Sequence, residues 1–146
     1  MSDAALFTWM ATVLVGLVLL VIWLMEYDRD FQSGATTRLP VPVISTHALL
    51  GVCGLLVWGF YLVTDNDPLA YATVADLGIV VVLGLVMAVR WVAVYRAYAV
   101  TPVSGMGLLV AVPPERHFPR PVILIHGLCA AATLGLVGYA VFFSGS

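Results

Sequence analysis

Two histidines are the residues best suited to chemistry: His47 in PVISTHALLGVCGLLVWGFYLV and His126 in PVILIHGLCAAATLGLVGYAVF. Each follows a proline, Pro42 or Pro121, by five residues, and each lies in an uncharged run long enough to cross a bilayer. An imidazole left without a partner in hydrocarbon is expensive, so a histidine there points to function. It can ligate a metal or hydrogen-bond to a neighbouring helix. The third histidine, His117 in PPERHFPRP, lies in a proline-rich loop and reads as a solvated residue. Cys53 and Cys129 both fall inside apolar segments and read as small packing residues rather than a disulfide. The sequence carries no metal-ligand cluster, phosphate loop, nucleophile constellation or nucleic-acid patch, and the expected spans contain no carboxylate. A self-contained hydrolase or transporter is therefore disfavoured, and the chain reads as a subunit more readily than as an enzyme.

The elements that must position these imidazoles follow from composition. Of 146 residues, 62% are hydrophobic and 10% charged, and the mean hydropathy of +1.07 belongs to an integral membrane protein rather than a soluble domain. A hydrocarbon core of about 30 Å needs roughly 20 helical residues. Four segments meet that length, so the fold expected is all-α: a single transmembrane domain over 1–146 with helices at about 4–25, 41–64, 73–96 and 121–143, the third crossing the membrane from about Leu77 to Tyr95 after a connection over 65–76. The first segment meets EYDRD where a signal peptide would have a small-residue cleavage site, so it is kept as a helix. All six basic residues are arginines; Arg29, Arg38, Arg90, Arg96, Arg116 and Arg120 flank the first and third connections. Asp3, Asp65, Asp67 and Asp76 lie on the other side. By the positive-inside rule both termini are outside and the arginine-bearing connections cytoplasmic, in a multi-pass protein of the cell membrane.

The second and fourth segments align without a gap at an offset of 79. Seven of 22 positions are identical: Pro42/Pro121, Val43/Val122, Ile44/Ile123, His47/His126, Leu49/Leu128, Leu55/Leu134 and Gly59/Gly138. The first and third segments align at an offset of 68, with Gly16/Gly84, Trp23/Trp91 and Tyr27/Tyr95 among the identities. Valine, leucine and glycine match easily in apolar segments, but coincident tryptophan, tyrosine, proline and histidine are not explained that way. The expectation is a duplicated pair of helices, units about 4–64 and 72–143, related by an axis along the membrane normal. The difference, 79 minus 68, is an 11-residue insertion in the second arginine-bearing connection, where TPVSGMGLLVAVPP suits a membrane surface or a partner.

An up-down four-helix bundle is the simplest product, with the second and fourth helices diagonal and both histidines at one depth near the cytoplasmic side. Diagonal axes in such a bundle are roughly 13 to 14 Å apart. That separation suits a flat macrocycle ligated from both sides, and histidine is a familiar axial ligand of haem iron. Gly51 and Gly54 follow His47 at one and two turns, as Ala130 and Thr133 follow His126, and such small residues leave room for a porphyrin or simply for close helix packing. Arg90, whose counterpart in the repeat is Ile22, either pairs with a haem propionate, helped by Arg38 or Arg120, or snorkels to the interface.

With four apolar helices and the transmembrane histidines His47 and His126, the chain resembles small membrane b-type cytochromes, both the cytochrome b561-like proteins and the haem-bearing membrane anchors of respiratory enzymes. The resemblance implies one haem b with His47 and His126 as iron ligands. Cytochrome b561-like bundles typically use two histidine pairs for two haems, and this chain has one. The function implied is an electron-transfer subunit working within the lipid bilayer with other membrane subunits of a respiratory or redox complex, a quinone being a further candidate partner. Two alternatives stand beside it: another tetrapyrrole such as a chlorophyll, or a cofactor-free accessory subunit whose histidines hydrogen-bond across helices.

Overall fold

Residues 2–33, 37–97 and 113–143 are described by the computed structural model, with 28–33 described as backbone alone. They form four long helices, α1 (Ser2–Ser33), α2 (Val41–Thr64), α3 (Asp67–Ala97) and α4 (Arg120–Phe142), with a 3-10 helix, Pro114–His117, ahead of α4. Each of the four has a stretch long and apolar enough to cross a membrane, Ser2–Tyr27 being that part of α1. The chain is all-helical and fits a four-helix membrane bundle. Most of the inserted stretch TPVSGMGLLVAVPP lies outside the described residues.

Proline chemistry sets two of the helix starts in the same way. Pro40 and Pro119 are extended caps with φ near −64° and −66°. Each carbonyl accepts from two following amides: Val43 and Ile44 at 2.9 and 3.2 Å, and Val122 and Ile123 at 3.0 and 3.2 Å. Pro42 and Pro121 then occupy early helical positions, where a missing N–H leaves no gap in the ladder. At the far end of α2, Asp65 adopts a left-handed conformation (φ 49°), and its amide donates to the Tyr61 carbonyl at 2.8 Å. Only Asp65 and Asn66 then separate α2 from α3, which has Pro68 in its first turn.

α3 therefore begins at Asp67, six residues before the expected 73, and α1 runs eight residues past the expected 25. The early start has a chemical consequence. Asp76, assigned above to the connection, lies inside a membrane-length helix, so the expectation that the spans lack carboxylates is corrected.

α1 packs most extensively against α4, and α2 against α3; α1 also meets α2, and α3 meets α4 more sparsely. Among the described residues the backbones of α1 and α3 do not approach one another closely, nor do those of α2 and α4, which meet only through side chains, so each of these pairs lies across a diagonal. Two buried clusters hold the arrangement. Toward the α2–α3 turn, Trp9 and Trp58 pack with Ala5, Leu77, Val137 and Ala140. Toward the other end, Trp23 packs with Leu39 and Ile44, flanked by Leu20, Tyr27, Met87 and Phe118. Outward positions such as Leu14, Val21, Leu85, Val89, Leu124 and Leu128 are exposed, as a bundle solvated by lipid requires.

The connections are tied together at the arginine-rich end. The carboxylate of Glu115, fully buried, accepts from the backbone amides of Arg38 and Leu39 and from the Thr37 hydroxyl. Thr37 Oγ1 also accepts from Trp23 Nε1 at 3.3 Å. The Arg116 and Arg120 guanidinium groups lie over the Tyr95 ring at 4.3 and 4.1 Å. His117 is exposed, its Nδ1 3.8 Å from the Glu26 carboxylate.

Candidate functional site

His47 projects from α2 against α3, and His126 from α4 against α1, in the layer between the two buried clusters. His47 Nδ1 lies 3.0 Å from the carbonyl oxygen of Val80, and His126 Nδ1 lies 3.0 Å from that of Thr12. A helix carbonyl can only accept, so in both rings Nδ1 carries the proton and donates. The tautomer is thereby determined, and each Nε2 keeps its lone pair. Among the described residues no hydrogen-bond donor meets Nε2 of either ring.

Each ring is seated against a glycine. The Cβ that Gly16 lacks would stand 2.9 Å from Cε1 of His126, and that of Gly84 would stand 3.1 Å from Cε1 of His47. Carbonyl and glycine are one helical turn apart in each case, and the two sets are separated by 68 positions: Thr12 to Val80 and Gly16 to Gly84. Gly16 and Gly84 were visible in the sequence as identities of the alignment. They were not recognised as the seats of the imidazoles, because the alignment compares helices without saying which ones touch.

The two rings face one another across the diagonal with centroids 6.2 Å apart and planes inclined at 68°. Two imidazoles on opposite sides of one metal, each bound through a ring nitrogen at about 2 Å, have centroids about 6 Å apart. The separation and the donor set therefore fit a bis-imidazole centre. Ligating histidines also commonly donate the other ring N–H to a backbone carbonyl, as both do here. Among the described residues no group of three or more histidine, cysteine, aspartate or glutamate side chains comes together, so these two rings are the ligand set on offer.

The other sequence candidates are less tightly drawn to the histidines. Gly51 gives its carbonyl to Trp9 Nε1 at 3.0 Å. The space beside Gly54 is filled by Asp76 Oδ2 and the Trp9 ring. Thr133 is buried, donates to the Cys129 carbonyl at 2.9 Å and lies 3.2 Å from the Thr12 hydroxyl, so it serves the α1–α4 contact. Ala130 is half-buried on α4 between His126 and Thr133. Arg90 is six residues beyond Gly84, about 9 Å along α3, and its Nη1 donates to the Arg38 carbonyl at 3.0 Å. Arg38 and Arg90 line an open recess of about 390 Å³ with Ala93, Val94 and Ala97.

No protein-family model, curated protein or solved structure matches the chain.

Proposed function

We propose that the chain holds one haem b between His47 and His126 and acts as an electron-transfer subunit of a larger respiratory or related redox assembly in the cell membrane. One observation carries the reading: both imidazoles are anchored through Nδ1 to backbone carbonyls, their Nε2 atoms meet no hydrogen-bond donor among the described residues, and their centroids are 6.2 Å apart. When bound, the haem supplies one-electron redox chemistry at its iron. The chain's own groups do the positioning. Val80 and Thr12 hold the tautomer and raise the basicity of the ligating nitrogens, while Gly16 and Gly84 let the Cε1 edges of the rings approach α1 and α3 closely. Arg90 and Arg38, in the recess toward the arginine-rich end, are placed to meet propionate carboxylates.

The same reading includes a duplicated helix pair in up-down order. Support comes from the caps Pro40 and Pro119, 79 positions apart, and from the imidazole seats, 68 positions apart. Arg38, Arg90, Arg116 and Arg120 gather at one end of the bundle, opposite Asp65 and Asp67, which favours that end as cytoplasmic and both termini as outside. A likeness to cytochrome b561-like proteins or respiratory haem anchors belongs to this proposal, as do partner subunits and a quinone as electron donor or acceptor.

A second reading is a cofactor-free accessory subunit. It is favoured by the fit of each ring to its glycine, since a hydrogen bond from a seated imidazole also clips two helices together. An absorption spectrum of protein purified from its native membrane, oxidised and then dithionite-reduced, separates the two. Haem gives a Soret band and a sharp reduced α band, both lost in His47→Ala and in His126→Ala. Absence of visible absorbance in the native extract overturns the haem proposal, and long-wavelength bands replace haem with a chlorophyll.

A further inference from the structure

Asp76 has no part in the histidine site, and its position is unusual on three counts. It is the tenth residue of α3, nine beyond Asp67 and so about 13 to 14 Å along the helix from its start. That depth lies inside a stretch apolar enough to cross a membrane. Its Oδ2 is buried and has no hydrogen-bond partner among the described residues. The oxygen also occupies space that exists only because residue 54 is glycine: a Cβ there would collide with Oδ2, and with Trp9 Cζ2 at 2.8 Å.

The two halves of the bundle differ at this place. Seventy-nine positions after Gly54 stands Thr133, which fills the corresponding position on α4 with a hydroxyl bonded to Cys129 and close to Thr12. Sixty-eight positions before Asp76 stands Thr8, whose hydroxyl is satisfied by the Ala4 and Ala5 carbonyls, each at 3.0 Å. One half thus closes its polar groups locally, whereas the other combines a missing side chain with a carboxyl group that enters the gap.

A carboxylate oxygen in such a slot, without donor or cation, is costly in hydrocarbon. Among the described residues no cation stands near it: Arg90, fourteen residues further along α3, is about 21 Å away, and Arg96 and Arg120 lie at that same distant end. α1 presents Trp9 and has Asp3 near its start; α2 presents Gly54, with His47 and Asp65 well away on either side; α4 offers His126; α3 itself has Asp67. Among the described residues none of these pairs with Asp76. The residue as a whole is half-buried, with Oδ2 enclosed.

We propose that Asp76 is a proton-exchange site of the bundle, taking up and releasing a proton at the carboxyl group lodged in the Gly54 slot. The proton replaces the missing donor or cation: bound, it makes the group neutral; released, it leaves a charge that water from the α2–α3 end must solvate. The site is independent of whether His47 and His126 hold a haem.

Dicyclohexylcarbodiimide tests this, because it enters membranes and reacts with protonated carboxyl groups. The full chain in phosphatidylcholine vesicles is treated over a series of pH values and the adduct located by peptide mass spectrometry. A single adduct on Asp76, declining as pH rises and absent in Asp76→Asn, is the expected result. Gly54→Ala, which fills the slot, changes the pH at which labelling is half lost. As a reagent-free readout, infrared difference spectra between low and high pH contain a protonated-carboxyl C=O band that Asp76→Asn removes. Labelling confined to Asp3, Asp65 or Asp67, or a wild-type protein with neither adduct nor band on Asp76 while helix content is intact, overturns the proposal.

Discussion

Gly16 and His126 fit one another closely: Cε1 of the imidazole stands 2.9 Å from the point a Cβ on Gly16 would occupy, and the ring cannot simply turn away because Thr12 holds its Nδ1. Adding that methyl displaces the ring or spreads α1 from α4, at about 1–3 kcal/mol. Gly84→Ala has 3.1 Å to the His47 ring and is the milder change. Gly78, with nothing within 4 Å, is the control; Gly78→Ala gains up to ~1 kcal/mol of helix propensity. Thermal unfolding in detergent, followed by circular dichroism, ranks the three variants in that order of stability, Gly16→Ala lowest.

Glu115 joins the two arginine-bearing connections through its hydrogen bonds to residues 37–39. Glu115→Ala removes an acceptor from the Arg38 amide and from the Leu39 amide, which keeps the Thr37 hydroxyl at 3.2 Å; losing hydrogen bonds to a charged group of this kind costs about 1.5–3 kcal/mol. Glu115→Gln keeps one acceptor oxygen and loses less. Limited proteolysis should cut the 37–40 region of Glu115→Ala faster than that of wild type, with Glu115→Gln between; equal rates for all three refute the role.

Trp58 is fully buried, and its Nε1 donates to the Ser2 carbonyl at 3.3 Å, fastening the start of α1 to α2. Trp58→Phe retains the ring packing and loses the donor, about 1 kcal/mol. Trp58→Ala opens a cavity worth about 3–5 kcal/mol. Thermal melts of both variants measure the difference.

Thr12 and Thr133 bridge α1 and α4 at 3.2 Å, and Thr133 is buried. Interhelical hydrogen bonds in membranes contribute about 0.6–2 kcal/mol, so Thr133→Val lowers stability by that order. A double-mutant cycle with Thr12→Val checks it: the pair should show coupling, and strict additivity removes the bridge from the account.

Arg90 donates to the Arg38 carbonyl and lines the recess they share. Under the haem proposal, Arg90→Ala lowers cofactor occupancy or makes the midpoint potential more negative, because a cation near the propionates favours the reduced iron. Redox titration of the α band measures it; unchanged occupancy and potential rule out the propionate role and leave Arg90 as an interface anchor.

Several features were legible from residue order alone. Apolar runs of bilayer length between charged residues announce four helices, since hydrocarbon admits little else. Pro42 and Pro121 mark helix starts because a pyrrolidine fits only the first turn, and the matched sequences around His47 and His126 singled out the two imidazoles. The start of α3 was misplaced because Asp67, Asp76 and Tyr71 look like connection when charge is the guide. A two-residue turn built on left-handed Asp65 leaves no connection for them to occupy. The small residues Gly54 and Thr133 were read as room for a cofactor or for close helix packing; Asp76 and Trp9 stand beside the first, and a threonine pair joins α1 and α4 at the second.

Residue order by itself thus determined the membrane helices and the two histidines. Only the tertiary structure decided that α2 packs on α3 and α4 on α1, that Val80 and Thr12 hold the imidazoles, that Gly84 and Gly16 seat them, and that Asp76 enters the Gly54 slot. The physical reason is that periodicity and hydropathy act within a helix. In a chain apolar on every face, nothing along one helix says which neighbour its polar atoms will meet, and that is settled by side-chain shape and hydrogen bonding between helices.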